Sequence, residues 1–172
     1  MAGASGSGKS TLARRLAALL AAPYVELDSL HHGPGWQPRP TFVAEVDAFT
    51  SGPTWVTEWQ YDAVRGLVAE RADLVVFLLY RRPLVMGRVV RRTVVRRVRR
   101  TELWNGNREA PLHTLFTDPE HIVRWAWRTH PLAADRLTEL SRRDDLVVVA
   151  VRSPRELDAW LAGPLARALH RP

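Results

Sequence analysis

The chain has 172 residues, 46% of them hydrophobic, with a formal net charge of +7 and no cysteine. This length and composition predict a single compact domain with a sizeable core, and they exclude disulfides and cysteine-ligated metal sites. No apolar run is long enough to span a bilayer, so we expect a cytoplasmic protein without a membrane contact.

In chain order, the patterns of hydrophobicity, capping residues and turn residues predict thirteen segments. These are a glycine-rich loop (3–11), a helix (11–22), a strand (24–28), a loop (29–40), a helix (41–49), a strand (54–59), a helix (62–72), a strand (73–80), a helix (83–101), a turn with Asn105-Gly106 (102–111), a helical stretch broken at Pro131 (119–141), a strand (145–151) and a helix capped by Ser153 (153–169). Strands that alternate with helices predict a three-layer α/β fold with a parallel sheet.

The loop near the start carries the most specific motif in the chain. Residues 3–10, GASGSGKS, match the pattern G-x-x-x-x-G-K-[ST] at every defined position. Glycines allow the backbone to approach a phosphate closely, and a helix N-terminus that follows attracts an anion. The loop is therefore predicted to hold the phosphates of ATP through Gly3, Ala4, Ser5, Gly6, Ser7, Gly8, Lys9, Ser10 and Thr11.

Lysine usage supports this interpretation. The 25 basic residues comprise 24 arginines and Lys9, so lysine occurs only where the motif requires it. An ammonium on a thin stem fits between phosphate oxygens, whereas a guanidinium is a wide planar fork. We expect Lys9 to reach the β- and γ-phosphates and the hydroxyl of Ser10 to bind Mg²⁺.

The chain resembles small P-loop kinases of the adenylate-kinase-like group, in particular bacterial proteins called adenylate kinase, AAA-family ATPase or DNA topology modulation protein. The resemblance covers nearly the whole chain. It rests on the segments GASGSGKSTLARRLA, YVELDSLHHGPGW, WVTEWQYDAVR, ADLVVFLLYRRP and ELWNGNRE. It implies a P-loop NTPase fold with five parallel strands, in which the strand before the loop is central.

Only two residues precede the loop in this sequence. Four strands are visible, so the strand that normally leads into the loop is expected to be missing. We therefore expect the sequence to lack about five to ten residues upstream of Met1, by the usual strand length.

Two carboxylates are predicted at the ends of strands. Asp28 ends the second strand and Glu58 the third, and ligands of open α/β sheets bind beyond these ends. In similar kinases an acid at the position of Asp28 holds the acceptor or accepts its proton; capping of the next turn is the alternative. Glu58 resembles the carboxylate that orders Mg²⁺, although relatives often have Asp-Gly-Asn-Tyr where this chain has Glu58-Trp59-Gln60-Tyr61.

Rings follow the same strand ends and predict an acceptor pocket. Trp36, Trp59 and Tyr61 could stack on a base or pack against a sugar, and His31 is expected to contact the acceptor. Adjacent histidines without cysteine are a weak metal signal.

Nine arginines and no acid lie in residues 81–100. We predict a lid over about 88–118, with Arg92, Arg96 and Arg100 facing the site and stabilising the transferred phosphoryl group. A nucleic-acid surface and a solvated face remain as alternatives.

Together these features predict an ATP- and Mg²⁺-dependent kinase that phosphorylates a small acceptor, possibly a nucleotide. Lys9, Asp28, Arg92 and Arg96 are the predicted catalytic residues. The alternatives are a nucleotide-dependent DNA-binding regulator and a P-loop ATPase that has no small acceptor.

Overall fold

The computed structural model describes residues 1–169, which form an α/β arrangement of short parallel strands with helices around them. The strands are β1 (Ala2–Gly3), β2 (Tyr24–Val25), β3 (Val56–Thr57), β4 (Leu74–Leu78) and β5 (Val147–Val151). The helices are α1 (Lys9–Leu20), α2 (Leu27–His31), α3 (Phe42–Thr50), α4 (Asp62–Glu70), α5 (Arg82–Val98), α6 (Thr114–Thr117), α7 (Ile122–Thr129), α8 (Leu132–Leu140), α9 (Pro154–Trp160) and α10 (Ala166–Leu169).

A strand of two residues lies before the loop, where the sequence predicted no visible strand. Ala2 and Gly3 pair in parallel with Phe77 and Leu78 of β4, and β4 pairs along its whole length with β5. A second parallel pair joins β2 to β3. Backbone hydrogen bonds of 2.7 Å run from the Met1 nitrogen to Thr57 and from the Trp59 nitrogen to Met1. These bonds join the three strands β1, β4 and β5 to the pair β2 and β3, so that the strands lie in the order β2-β3-β1-β4-β5.

Helices cover both faces of this sheet because β4 is apolar on both of its faces. Val76 and Leu78 pack against α1, α5 and the turn after α9, in one hydrophobic core. Val75 and Phe77 point the other way and pack against α3, α4 and α8, in a second core. A continuous apolar strand is typical of a sheet that is buried on both sides. The predicted three-layer α/β arrangement is confirmed at this level.

Several boundaries differ from the sequence predictions. The predicted strand 24–28 ends at Val25, because Leu27 begins the short helix α2 and becomes completely buried. Asp28 therefore lies in the first turn of α2 and not at a strand end. The last predicted helix contains a π-helical turn at Leu161–Leu165, where Pro164 interrupts the α-helical bonding. Ser153 caps α9 as predicted, since its hydroxyl accepts from the Glu156 nitrogen at 3.1 Å.

No helix within residues 1–169 is both long and apolar enough to cross a membrane.

Candidate functional site

The segment between β1 and α1 is a tight glycine loop. Gly3, Gly6 and Gly8 have φ values of 141°, 82° and 104°, which side-chain-bearing residues rarely adopt. The loop also lies against α5 so closely that a Cβ atom on Gly6 would overlap the side chain of Val89. The positive φ values thus favour glycine at all three positions, and at Gly6 the contact with α5 requires it as well.

Lys9 begins α1 and folds back over this loop. Its Nζ donates to the carbonyl oxygens of Gly3 at 3.1 Å and Ala4 at 3.3 Å. Burial lowers the pKa of Lys9, while the nearby carboxylates of Asp28 and Glu58 act in the opposite direction. Because Lys9 is the first residue of the twelve-residue helix α1, its ammonium lies at the positive end of that helix, where an anion is favoured.

Two arginines of α5 reach the loop from the opposite side. Arg88 Nη1 donates to the Ser7 carbonyl oxygen at 3.1 Å, and Arg92 Nη2 donates to Ser5 Oγ at 3.3 Å. Burial lowers the pKa of Arg92, and its Nε atom is buried without a hydrogen-bond partner among the described residues. Lys9, Arg88 and Arg92 together make this end of the site strongly cationic.

Arg96 and Arg100 do not reach the loop in the same way. Arg96 forms a 3.1 Å ion pair with the largely buried Glu109 and lies over the ring of Trp104. Arg96 lines the cavity, but its ion pair holds the segment around Glu109 against α5. Arg100 is exposed and lies outside the cavity wall, contrary to its predicted orientation.

Asp28 is the end of a chain of hydrogen bonds. Its Oδ1 accepts from Gln60 Nε2 at 2.7 Å and from the Tyr61 hydroxyl at 2.5 Å. The Tyr61 oxygen lies 3.1 Å from His32 Nε2, and His32 Nδ1 lies 3.4 Å from His31 Nδ1. Because the Tyr61 proton is donated to Asp28, His32 must donate from Nε2, and it then accepts from His31 at Nδ1. This chain fixes the orientation of the Asp28 carboxylate.

Glu58 lies behind the site and does not line it. It is 2% exposed, and its two oxygens accept from the Tyr24 hydroxyl at 2.7 Å and the Leu27 nitrogen at 3.4 Å. Burial is the first cause that raises the pKa of Tyr24, followed by its hydrogen bond to Glu58. Both Glu58 oxygens therefore have partners within the protein, and the predicted contact with Mg²⁺ would require one of these bonds to break.

Two loops of the same geometry lie against each other beside the cavity. One is closed by the bridge His32–Pro38 and the other by the bridge Glu102–Arg108. Each has two adjacent residues in the left-handed region: Gly35 and Trp36 in the first, Asn105 and Gly106 in the second. We call them the 32–38 loop and the 102–108 loop. The predicted Asn105-Gly106 turn is confirmed, whereas the equivalence of the two loops was not foreseen.

Two asparagines join these loops. Asn107 is 5% exposed; its Oδ1 accepts from the Trp36 nitrogen at 2.9 Å and its Nδ2 donates to the Gly33 carbonyl at 2.8 Å. Asn105 donates to the carbonyl oxygens of Ser29 and His32. The two loops are thereby held together over the cavity.

A cavity of about 1490 Å³ connects the glycine loop with the two facing loops. Typical single-ligand pockets measure about 300–1,000 Å³, so this volume suits two ligands side by side. Of the predicted site residues, the cavity wall contains Ser5, Gly6, Ser7, Gly8, Lys9, Ser10, Thr11, Asp28, Trp36, Tyr61, Arg92 and Arg96.

The remaining predicted residues lie outside the wall. Gly3 and Ala4 lie beneath the loop and accept from Lys9. Trp59 is 5% exposed, packs edge-to-face on Phe77 and donates to the Arg65 carbonyl, so it belongs to the core. His31 stacks on Tyr61 at 4.1 Å between ring centroids and supports the wall from behind.

Sequence reasoning missed three contributors: Gln60, Arg88 and Asn107. Gln60 is adjacent to predicted residues, and Arg88 lies one helical turn before Arg92. Asn107 gave no local signal, because its partners lie more than seventy positions earlier in the chain.

No family model and no curated protein matches this chain. Within the described residues, no three side chains of His, Cys, Asp or Glu converge as a metal site.

Proposed function

We propose that this chain is a P-loop kinase that binds ATP with Mg²⁺ at the glycine loop and transfers the γ-phosphoryl group to a small acceptor. The observation that carries the proposal is the position of Asp28 in the same cavity as the loop, Lys9 and Arg92. A phosphate site, a buried cation and an oriented carboxylate are the parts that phosphoryl transfer to a hydroxyl group requires.

The loop would bind the triphosphate through its backbone N–H groups and the N-terminus of α1. Lys9 would exchange its bonds to the Gly3 and Ala4 carbonyls for the β- and γ-phosphate oxygens. The Ser10 hydroxyl would hold Mg²⁺, which when bound neutralises charge on the phosphates. Arg92, already directed at Ser5, would stabilise the negative charge of the transferring group.

ATP binding tests the first part of the proposal. In a thermal-shift titration, ATP at about one hundred times its Kd should stabilise the chain by about 2.7 kcal/mol. Lys9→Ala should abolish the shift, because the phosphates lose their buried cation. A shift that persists in Lys9→Ala would contradict binding at the loop.

Phosphoryl transfer tests the second part. ATP consumption should rise when the right member of an acceptor panel is added, and Arg92→Ala should lower kcat by about 10³-fold or more. Arg99→Ala, an exposed arginine of the same segment, is the matched control and should keep full activity. Hydrolysis that no acceptor stimulates would favour a P-loop ATPase.

A DNA-binding regulator is the second candidate, and the arginine segment favours it. Within the described part of the chain, Arg96 is the one arginine of residues 81–100 in an ion pair. Arg97, Arg99 and Arg100 are exposed. Duplex DNA binding that weakens steeply with salt, without any stimulating acceptor, would favour this function.

A further inference from the structure

The half of the cavity beyond Asp28 is walled by aromatic rings. His32 lies 5.0 Å from Trp36 and 6.1 Å from Trp104 between ring centroids, and the two tryptophans are 6.3 Å apart. Tyr61 lies 6.1 Å from His32 and completes the group. All four side chains line the cavity. We call them the ring wall. Rings arranged in this way bind flat or CH-rich ring compounds by stacking and edge contacts.

The charges at the ring wall differ from those at the loop. Lys9, Arg88 and Arg92 contact the loop, whereas Arg96 is the one arginine over a ring of this wall among the described residues. Arg96 is already paired with Glu109. A ligand that placed a second phosphate beside the ring wall would lie close to the Asp28 carboxylate, and the arginine over the wall is already paired with Glu109.

Within residues 1–169, Asp28 has one carboxylate oxygen that is free to accept a hydrogen bond from a hydroxyl group. Its Oδ1 takes both hydrogen bonds that orient the carboxylate, from Gln60 and Tyr61, and its Oδ2 has no partner among the described residues. A carboxylate held in this way can accept a hydrogen bond, and then a proton, from an acceptor O–H.

We propose that the ring wall and Asp28 bind an uncharged, ring-bearing alcohol of the nucleoside class, and that this compound, and not its monophosphate, is the acceptor. The inference rests on the proposed kinase function. It assigns Trp36, Trp104 and His32 to recognition of the ring and Asp28 to the hydroxyl group.

The acceptor oxygen forms a bond to the γ-phosphorus of ATP, and the bond from that phosphorus to the β–γ bridging oxygen breaks. The bridging oxygen keeps the electron pair and leaves as part of ADP. The acceptor's hydroxyl proton passes to Asp28, which returns it to solvent after the phosphomonoester departs.

Binding without ATP tests the ring wall separately from the kinase function. Nucleosides and their matched 5′-monophosphates would be titrated by calorimetry against the wild-type chain. The proposal expects at least one nucleoside to bind about tenfold or more tightly than its monophosphate. Trp104→Ala and Trp36→Ala should each weaken that nucleoside by about tenfold, from the loss of stacking. Trp127→Ala, an exposed ring outside the cavity, is the control and should bind normally.

The outcomes are distinguishable. Tighter binding of the monophosphates, turnover with monophosphates alone, or no binding of any nucleoside at millimolar concentration would each overturn the proposal. If ATP causes no thermal shift in the wild-type chain while a nucleoside still binds, the kinase function is contradicted and the ring wall is not. Asp28→Asn should retain nucleoside binding while ATP consumption with that nucleoside falls, and equal loss of both would overturn the role of Asp28.

Discussion

Gly6 offers a sharp test at the scale of single residues, because it is constrained twice. Its φ of 82° disfavours any side chain, and a Cβ there would overlap Val89 and lie 3.0 Å from the Val85 carbonyl oxygen. Gly6→Ala should therefore push the loop away from α5, lower the unfolding temperature and abolish the ATP-induced thermal shift.

Gly66 is the matched control within helix α4. A Cβ there meets no atom within 4 Å, and its φ is not positive. Gly66→Ala should raise stability by about 0.5–1 kcal/mol, since alanine loses less backbone entropy on folding. Similar effects of the two substitutions in urea unfolding would contradict the constraint on Gly6.

The histidine pair should make stability depend on pH. Burial is the main cause that lowers the pKa of His31 and of His32 below the ordinary 6.5. Between the folded pKa values and 6.5 the unfolded chain binds more protons, so stability is present above this range and is lost as pH falls through it. Protonated His32 would also direct its Nδ1–H at His31, whose Nδ1 lies 3.4 Å from His32 Nδ1.

The measurement is the unfolding temperature of wild type between pH 7 and pH 5, where a decline is expected. His31→Gln/His32→Gln should show a flatter profile whatever its stability at pH 7. His113→Gln, on an exposed histidine, should follow wild type. A double variant that is as steep as wild type would refute the assignment.

Among single residues, the sequence predicted those that belong to a short motif or follow a predicted strand. The loop glycines, Lys9 and Ser10 follow one motif, and Asp28 and Tyr61 follow strands that end at the same edge. Glu58 also follows a strand that ends at this edge, but it lies behind Tyr24. Which of these side chains faces the cavity is decided by packing, and the local sequence does not show it.

At the scale of elements, the contact between the 32–38 loop and the 102–108 loop depends on Asn107. Asn107→Ala would leave the part-buried Trp36 N–H and the buried Gly33 carbonyl without their partners. A buried unsatisfied group costs about 1–3 kcal/mol, so we expect destabilisation of at least about 1 kcal/mol. Denaturant unfolding would measure this, and limited proteolysis should cleave within 102–108 sooner than in wild type.

Asn105→Ala is the control for that prediction. Asn105 donates to Ser29 and to His32 of the 32–38 loop but is exposed, so water can replace it. The expected loss is below about 1 kcal/mol. Equal losses from the two alanine variants would show that burial does not decide the contact.

Long helices and apolar strands were predictable as elements, while short ones were not. Helix α5 was predicted over 83–101 and runs from Arg82 to Val98, since its periodicity extends over several turns. Residues 24–28 alternate like a strand, yet the second core takes Leu27 in a helical turn. In a segment of five residues the tertiary contacts outweigh the local preference.

At the scale of the molecule, stability should depend on the strand between the two cores. Phe77 is fully buried in β4 and reaches the core formed with α3, α4 and α8. Phe77→Ala should cost about 3–5 kcal/mol. Val147→Ala, at the 61% exposed start of β5, should cost less than about 1 kcal/mol, as surface changes do. Urea unfolding of both variants checks this difference.

The alternation of strands and helices predicted the layered arrangement, because parallel strands need helical crossovers on both faces. It did not predict how the two facing loops meet, since that depends on contacts between residues about seventy positions apart.

The contact between the two loops also bears on how such a protein can diverge. On the 32–38 loop and Ser29, every partner of Asn105 and Asn107 is a main-chain atom. Substitutions among the side chains of that loop therefore leave the docking bonds in place. Trp36 and His32 can be exchanged for other residues during evolution while the contact between the loops is kept, so the chemistry of this part of the cavity wall can change independently of the bonds that enclose it.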